Sequence, residues 1–167
     1  MKSKSKSKFW LVMAAFAVLP LVACSKSSGD GKTKPDQMIA TISPYNHTPD
    51  YIHQFYVDGQ GGGNSRAYGG GGSFVCCIAY PKQWRPGLTA QVRWTTSSSD
   101  PNATGDDTIE KWHEKVVPID RYDEPGTTLN VHFLPQGEVR LVISSMRAGH
   151  PNYPGPKAPE KPASFPY

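Results

Sequence analysis

The sequence predicts an all-β domain, a small antiparallel sandwich or barrel, and two observations lead to this fold class. Short runs rich in β-branched and aromatic residues recur at short intervals, and Pro, Gly, Asn or Asp separates them. No window carries apolar residues at the 3.6-residue spacing of an amphipathic helix. A chain with six or seven strands and no helix buries its apolar faces by packing two sheets together or by closing one sheet.

Each predicted strand follows from its local pattern. Leu88–Thr95 alternates apolar and polar residues, which predicts one buried face and one wet face. Ser73–Tyr80 is nearly all apolar, which predicts a strand covered on both faces. Pro135-Gln136-Gly137 separates two alternating runs and predicts a hairpin. In chain order the predicted strands are Met38–Ser43, Tyr51–Val57, Ser73–Tyr80, Leu88–Thr95, Ile109–Ile119, Leu129–Phe133 and Val139–Ile143.

Two segments are not expected to form the core. Gly59–Gly72 holds eight glycines in 14 residues, and ordering glycine costs more entropy than ordering any other residue. We therefore expect a mobile loop or a wide hairpin tip there. A phosphate cradle is not expected, because a strand-like run follows the glycines instead of a helix. Pro151–Tyr167 contains six prolines and should be extended, either lying on the domain or free.

The N-terminus has the pattern of a lipoprotein signal peptide. Four lysines within the first eight residues precede the apolar run Phe9–Ala23, which is shorter than the roughly 20 residues that a membrane-spanning helix needs. The run ends in Leu21-Val22-Ala23-Cys24, which resembles the lipobox of lipoprotein processing enzymes. We predict cleavage after residue 23 and a covalent lipid on Cys24, with no other cofactor.

The remaining chain divides by composition into three parts. The polar Gly/Ser/Lys-rich stretch 24–37 predicts a flexible tether, 38–147 the β-rich domain, and 148–167 a Pro-rich tail. Ser25 follows the lipobox cysteine in place of the aspartate that commonly signals inner-membrane retention. By resemblance to that sorting rule we expect attachment to the outer membrane, on its periplasmic face.

Charge excludes one class of function. The sequence has 18 Lys+Arg and 14 Asp+Glu, and removing the four leader lysines leaves 14 against 14. A mature chain without excess positive charge lacks the basic surface of a nucleic-acid binder. Its expected length of 144 residues, 167 less the 23 of the leader, fits one domain with a modest core.

Cys76 and Cys77 are adjacent, so a bond between them would close a strained eight-membered ring and no long loop. Neighbouring strand positions face opposite sides, which favours two buried thiols that behave as small hydrophobic side chains. A vicinal disulfide is the alternative, and a metal or redox role is a third.

No catalytic or metal-binding motif is found. The sequence has no G-x-S-x-G, H-E-x-x-H or paired C-x-x-C pattern. The histidines are scattered singly, at His47, His53, His113, His132 and His150. Asp106-Asp107 and Asp123-Glu124 lie in turn-like sequence, where turn chemistry explains them better than calcium binding. We therefore expect a protein that is not an enzyme and holds no metal.

Loops with Trp, Tyr and Arg are the candidate interface. The pair Trp84 and Arg85 lies in a loop, and both residue types are enriched among the residues that dominate binding energy. The alternative is that Trp84 caps the core while Arg85 lies on the surface. Arg66 and Tyr68 in the glycine-rich segment complete the predicted interface.

The stretch from Tyr45 to Trp94, and more loosely to Ile143, resembles a known family of short proteobacterial lipoproteins that carry a domain of unknown function. The resemblance rests on Tyr45-Asn46-His47-Thr48, Tyr51–Gly59, the glycine-rich segment, Cys76-Cys77, Trp84-Arg85-Pro86-Gly87-Leu88 and Val92-Arg93-Trp94. Members of that family resemble immunity lipoproteins encoded beside phospholipase effectors of type VI secretion. The resemblance implies a membrane-anchored protein that neutralises such a toxin. A structural or ligand-binding envelope lipoprotein without a toxin partner is the alternative.

Overall fold

The computed structural model describes residues 34–166, which form two four-stranded β-sheets packed as a sandwich. The strands are β1 (Gln37–Asn46), β2 (Asp50–Val57), β3 (Gln60–Ser65), β4 (Val75–Pro81), β5 (Thr89–Ser98), β6 (Lys111–Pro118), β7 (Thr128–Phe133) and β8 (Val139–Ser144). The predicted all-β fold class is confirmed. The signal peptide, Cys24 and the tether up to residue 33 lie outside the described residues. No helix within 34–166 has the length and apolarity to cross a membrane.

Strand order separates the two sheets. Sheet A has the order β4-β1-β7-β8, and sheet B has the order β3-β2-β5-β6. All pairs are antiparallel except β1 with β7, which run parallel with Ile42 opposite Leu129. The prediction of an antiparallel sheet is therefore correct for sheet B and incomplete for sheet A, because a parallel pair joins elements far apart in sequence.

The core lies between the inner faces of the two sheets. Burying one large apolar side chain contributes about 1.5–3 kcal/mol, and both sheets supply such residues at alternate positions. Phe55 of sheet B meets Phe133 of sheet A edge to face, with ring centroids 5.2 Å apart. The largest fully buried apolar side chains of this core are Phe55, Ile42, Ile52, Leu129, Leu141, Val57, Val92, Val117 and Val131.

The strands predicted from an alternation of apolar and polar residues lie close to the predicted positions. The predicted hairpin is confirmed as β7 and β8, which pair from Thr128 opposite Ser144 to Phe133 opposite Val139. The run Ser73–Tyr80 is a different case, because β4 forms the edge of sheet A. Cys76 and Ala79 are exposed, so the prediction of a strand covered on both faces is wrong.

The glycine-rich segment contains a strand that the sequence did not predict. Gln60–Ser65 forms β3, which pairs with β2 across the tight turn at Asp58 and Gly59. A side chain at Gly62 would overlap the ring of Phe55, so glycine lets β3 lie directly against a core aromatic. The expectation of a mobile loop is therefore wrong for this half of the segment.

The Pro-rich tail lies on the outer face of sheet A. The hydroxyl of Tyr153 is 2.6 Å from Nε2 of His132, which is fully buried in β7. The backbone N–H of Ala148 donates to the hydroxyl of Tyr45 at 3.2 Å. Of the two arrangements left open by the sequence, the structure has the tail packed on the domain.

Candidate functional site

A β-bulge places polar side chains on the outer face of sheet B. The register of β2 shifts between Ile52 and Phe55 against both of its neighbouring strands. Ile52 and Phe55 are buried, while His53 and Gln54 between them are half-buried. A regular strand would place only one of those two residues outward, because side chains alternate. Bulges occur often beside functional sites, where they redirect a side chain.

His53 lies between a hydroxyl and a carboxylate. Its Nε2 is 2.7 Å from Oγ of Ser97 in β5, and its Nδ1 is 3.6 Å from Oε1 of Glu110, just before β6. We call these three residues the Ser–His–Glu array. The Gln54 amide donates to the other oxygen of Glu110 at 3.4 Å, so the bulge supplies two adjacent side chains that hold the same carboxylate.

His53 and Ser97 of the array border a cleft of about 580 Å³. Tyr51 and Phe165 contribute aromatic walls, and Arg66 and Lys161 contribute positive charge. The ring of Tyr68 meets Phe165 edge to face at 4.9 Å, which holds the end of the tail at the cleft. A volume of this size lies within the range of small-molecule sites. The site is therefore assembled from the bulge in β2, the end of β5, the glycine-rich segment and the tail.

A second feature lies further along the same outer face. Arg93 lies over the ring of Trp112 at 5.0 Å, and the rings of Tyr56 and Trp112 are stacked with centroids 6.5 Å apart. We call Tyr56, Arg93 and Trp112 the aromatic platform. Trp112 is 52% exposed, and Val116 on the same strand is 65% exposed. Glu114 pairs with Arg93 at 3.2 Å, so the platform is close to neutral.

Comparison with known proteins identifies the family. The profile of a family described as a protein of unknown function, DUF3304, matches residues 45–141, which is more than half of the 167-residue chain. The chain belongs to this family. The DUF3304 match begins in β1 and ends in β8. It therefore includes the Ser–His–Glu array and the aromatic platform but not the tail. No curated protein and no solved structure matches the chain.

The predicted interface residues of this DUF3304 protein lie in two different places. Trp84 packs against the core, and its indole N–H donates to the carbonyl of Ile119 at 3.0 Å, while Arg85 is exposed. This is the alternative arrangement that the sequence left open for the pair. Arg66 lines the cleft and Tyr68 holds the tail beside it. The structure thus does not bring the four residues together.

Cys76 and Cys77 are joined by a disulfide bond in the DUF3304 domain. Cys76 is exposed and Cys77 is half-buried at the edge of sheet A. The prediction of two buried thiols is wrong in this structure, and the vicinal disulfide that was its alternative is present. The edge position is consistent with this exposure, because β4 has a neighbouring strand in its sheet on one side only.

Two other histidines form a buried polar cluster on sheet A. Nε2 of His47 is 3.0 Å from Nδ1 of His132, and Tyr45 stacks on His132 with centroids 4.7 Å apart. Burial, with smaller effects from the charges of His47 and Arg140, lowers the pKa of His132 to about 3. Burial also lowers the pKa of His47 and raises that of Tyr153. The cluster is therefore neutral at pH 7.

The sequence did not indicate that three of the histidines belong to side-chain networks. His53, His47 and His132 are far apart in sequence from the residues that they contact. One signal was present, because two polar residues between Ile52 and Phe55 interrupt the alternation and indicate a bulge. Among the described residues no group of three or more His, Cys, Asp or Glu side chains could hold a metal ion.

Proposed function

We propose that this DUF3304 protein is a periplasmic immunity lipoprotein that binds and neutralises a secreted phospholipase-type effector of type VI secretion. The observation that carries the proposal is the exposed aromatic platform of Tyr56, Arg93 and Trp112 on the outer face of sheet B. The lipobox-like leader and the family resemblance add the expected location and the class of partner.

The platform has the composition of a binding hot spot. Trp, Tyr and Arg are enriched among the residues that dominate binding energy at protein interfaces. Trp and Tyr bury large areas at a small cost in rotamer entropy, and Arg stacks on aromatic rings while donating several hydrogen bonds. Exposed Val116 adjoins the platform on β6 and extends the apolar area. A stable complex needs about 1,200–2,000 Å² of buried surface, and the outer face of a four-stranded sheet offers its half of such an area. The platform would form the centre of the contact and Glu114 part of its polar rim.

The lipid on Cys24 would anchor the protein, and therefore its binding surface, at the membrane. A lipoprotein cysteine carries a diacylglycerol, and two or more acyl chains give stable membrane anchoring. Confinement at the inner leaflet of the outer membrane raises the effective concentration of an inhibitor where a phospholipase meets its substrate. Labelled palmitate should appear on the wild type and disappear in Cys24→Ser. Labelling that persists in this variant would contradict the anchor.

The test of the proposal compares two cation–π pairs. Arg93 with Trp112 forms part of the platform, and Arg147 with Phe74 is a similar exposed pair away from sheet B. The full-length protein is co-purified with a lipase encoded beside its gene. Trp112→Ala should weaken binding by roughly 30-fold or more, the effect of a hot-spot residue of about 2 kcal/mol. Phe74→Ala should leave binding within about threefold of wild type.

The same variants are then tested in cells. A deletion strain that faces its parent as the attacking neighbour should be killed, and the wild-type gene should rescue it. Trp112→Ala should fail to rescue at equal protein level, whereas Phe74→Ala should succeed. Failure of the wild-type protein to bind the lipase and to rescue the strain would overturn the proposal. Binding to peptidoglycan instead would indicate a structural envelope lipoprotein.

A further inference from the structure

The Ser–His–Glu array has an arrangement that binding a partner at the platform does not require. The imidazole of His53 lies between a hydroxyl and a carboxylate from neighbouring strands or strand ends, at distances of 2.7 Å and 3.6 Å. Ser97 and His53 border a cleft of about 580 Å³, and the tail closes one side of it. We propose that this cleft is a carboxylic-ester hydrolase site in which Ser97 is the nucleophile, His53 the general base and Glu110 the positioning residue. This proposal does not depend on the proposed function.

The hydrogen-bonding partners of His53 assign these roles. If the imidazole proton is on Nδ1, that N–H faces the Glu110 carboxylate and Nε2 can accept from the Ser97 hydroxyl at 2.7 Å. The Ser97 hydroxyl also lies 3.3 Å from the carbonyl of Ser98, so the shorter of its two contacts is the one to His53. This is the geometry that activates a serine, since the base takes the hydroxyl proton while the carboxylate fixes the tautomer and stabilises the imidazolium. Such arrays recur on unrelated folds and are recognised by geometry.

Glu110 is itself held in place from the opposite side. The Gln54 amide donates to its second oxygen at 3.4 Å, and the Tyr56 hydroxyl donates to the Gln54 carbonyl at 2.9 Å. Tyr51 meets the ring of His53 edge to face, with centroids 4.6 Å apart. The imidazole is thus restrained by a ring on one side and a supported carboxylate on the other, which is how a catalytic group is preorganised.

The cleft sets the class of substrate. Tyr51 and Phe165 suit an apolar or aromatic portion of the ester. Arg66 and Lys161 line the same cleft and make no ion pair with any residue between 34 and 166. Positive charge stabilises the oxyanion that develops when an ester carbonyl is attacked. Asp100 also lines the cleft, so its lining carries charge of both signs. The aromatic walls then favour a neutral aryl ester as substrate.

The reaction balances with water as the second substrate. Ser97 Oγ bonds to the carbonyl carbon while its proton moves to Nε2 of His53. The bond from that carbon to the alcohol oxygen breaks, and His53 returns the proton to the leaving alcohol. Water then adds to the acyl-serine in the same way, which releases the acid and restores the hydroxyl of Ser97.

A second hydroxyl–imidazole pair in the same sheet serves as an internal control. Thr96 Oγ1 is 2.8 Å from Nε2 of His113. No carboxylate of the described residues lies within ion-pair distance of His113. Thr96 and His113 border a different cavity from the Ser–His–Glu array. If any hydroxyl beside a histidine could hydrolyse the ester, substitutions in the Thr96–His113 pair and in the Ser97–His53 pair would both lower turnover. The proposed site predicts that only substitutions in the Ser97–His53 pair do so.

The test uses the full-length protein in detergent with p-nitrophenyl butyrate as substrate and a fluorophosphonate as covalent probe. We expect turnover above the buffer rate and probe attachment to Ser97, located by mass spectrometry of peptides. Ser97→Ala and His53→Gln should each reduce turnover by roughly 100-fold or more, the usual contribution of a nucleophile or general base. Ser98→Ala and Thr96→Ala should retain turnover and labelling.

Glu110→Gln distinguishes positioning from a merely structural role. It should lower kcat by roughly tenfold or more and leave KM within about twofold, because the carboxylate acts on the base and not on the substrate. The wild-type labelling experiment needs no variant, so it remains decisive if a substitution unfolds the chain. Absence of both turnover and labelling in the wild type would overturn the proposal, as would labelling that persists in Ser97→Ala. Ser97→Ala removes one hydroxyl away from the platform and should leave lipase binding unchanged. A wild-type protein that does not bind the lipase but hydrolyses the ester and labels at Ser97 would overturn only the proposed function, so the two proposals can fail separately.

Discussion

The outer faces of the two sheets differ in what covers them. On sheet A the tail covers buried polar residues, with Tyr153 on His132 and Ala148 on Tyr45. On sheet B the corresponding face carries exposed Trp112 and half-buried His53, and the tail reaches only its edge at Phe165. Within residues 34–166, the tail covers the outer face of sheet A and leaves most of the outer face of sheet B exposed to solvent. Function is therefore expected on sheet B and stability on sheet A.

The histidines on the two outer faces also differ in burial. His132 on sheet A is fully buried, and the pKa of its imidazole is lowered to about 3. His53 on sheet B has a side chain that is 33% exposed. A buried neutral imidazole acts as a packing and hydrogen-bonding group, whereas a half-exposed one is accessible to a ligand.

The largest expected loss in the free energy of unfolding comes from removing the contact between the tail and sheet A. Tyr153→Ala removes a ring and a hydroxyl that faces the fully buried His132, leaving a cavity and an unpaired polar group. We expect a loss of about 3 kcal/mol in the free energy of unfolding, measured by urea denaturation. Trp112→Ala on sheet B should cost less than about 1 kcal/mol. Equal losses at the two positions would contradict the comparison.

The glycine-rich segment also meets sheet A, and Gly70 tests that contact. Its φ is +142°, and a Cβ there would lie 2.6 Å from the Cα of Tyr45. Gly70→Ala should therefore destabilise the domain by about 2–3 kcal/mol, through a steric clash and a strained backbone. Gly72, where a Cβ meets nothing within 4 Å, is the matched control, and Gly72→Ala should change stability by less than about 0.5 kcal/mol. A neutral Gly70→Ala would show that the segment does not pack as described.

The pH dependence of stability should arise on sheet A. In the unfolded chain the imidazole of His132 has its ordinary pKa of 6.5, whereas in the folded chain burial lowers this pKa to about 3. The unfolded state therefore binds more protons in this interval, so stability is complete above about pH 6.5 and falls as the pH drops toward 3. His132 alone should account for a loss of about 2 kcal/mol between pH 7 and pH 5. His47, whose pKa burial also lowers, adds in the same direction.

Urea denaturation of wild type, His132→Gln and His150→Gln at pH 7 and pH 5 measures this slope. His132→Gln should lower stability at pH 7 and flatten the pH dependence, because the group that takes up the proton is gone. His150 is exposed in the tail, and His150→Gln should keep the wild-type slope. An unchanged slope in His132→Gln would place the proton uptake elsewhere.

The smallest expected change in the free energy of unfolding comes from a substitution in the aromatic platform. Arg93 contacts the ring of exposed Trp112 and pairs with Glu114 at the surface. Exposed cation–π and surface ion pairs contribute about 0.5–1 kcal/mol at most. Arg93→Ala should therefore shift the free energy of unfolding by less than about 1 kcal/mol, and the remaining shift should shrink in about 1 M salt. A larger loss would mean that the platform is structural.

The sequence predicted most of the fold because side-chain alternation marks strands directly. Leu88–Thr95 and the final hairpin follow the period of two, and the structure has β5, β7 and β8 there. β3 was missed because glycines have no side chain that could alternate. β4 was assigned to the interior because an apolar run does not reveal whether a second layer covers it.

The candidate site was harder to predict because it depends on register. Ser97 and His53 are 44 residues apart, and only the pairing of β2 with β5 and the bulge after Ile52 bring them into contact. Motif searches test spacing along the chain and cannot detect such a site. The platform has the same origin, since Tyr56, Arg93 and Trp112 come from three neighbouring strands.

Hydroxyl-radical footprinting of the wild-type protein, alone and in complex with the co-purified lipase, tests most directly whether the outer face of sheet B is the binding surface. In the free protein Trp112 and Tyr56 should be oxidised readily, while Tyr45 should already be protected by the tail and the glycine-rich segment. On binding, oxidation of Trp112 and Tyr56 should fall at least severalfold, and that of Tyr45 should not change. Unchanged oxidation of Trp112, with new protection confined to Tyr153 and the tail, would contradict the account.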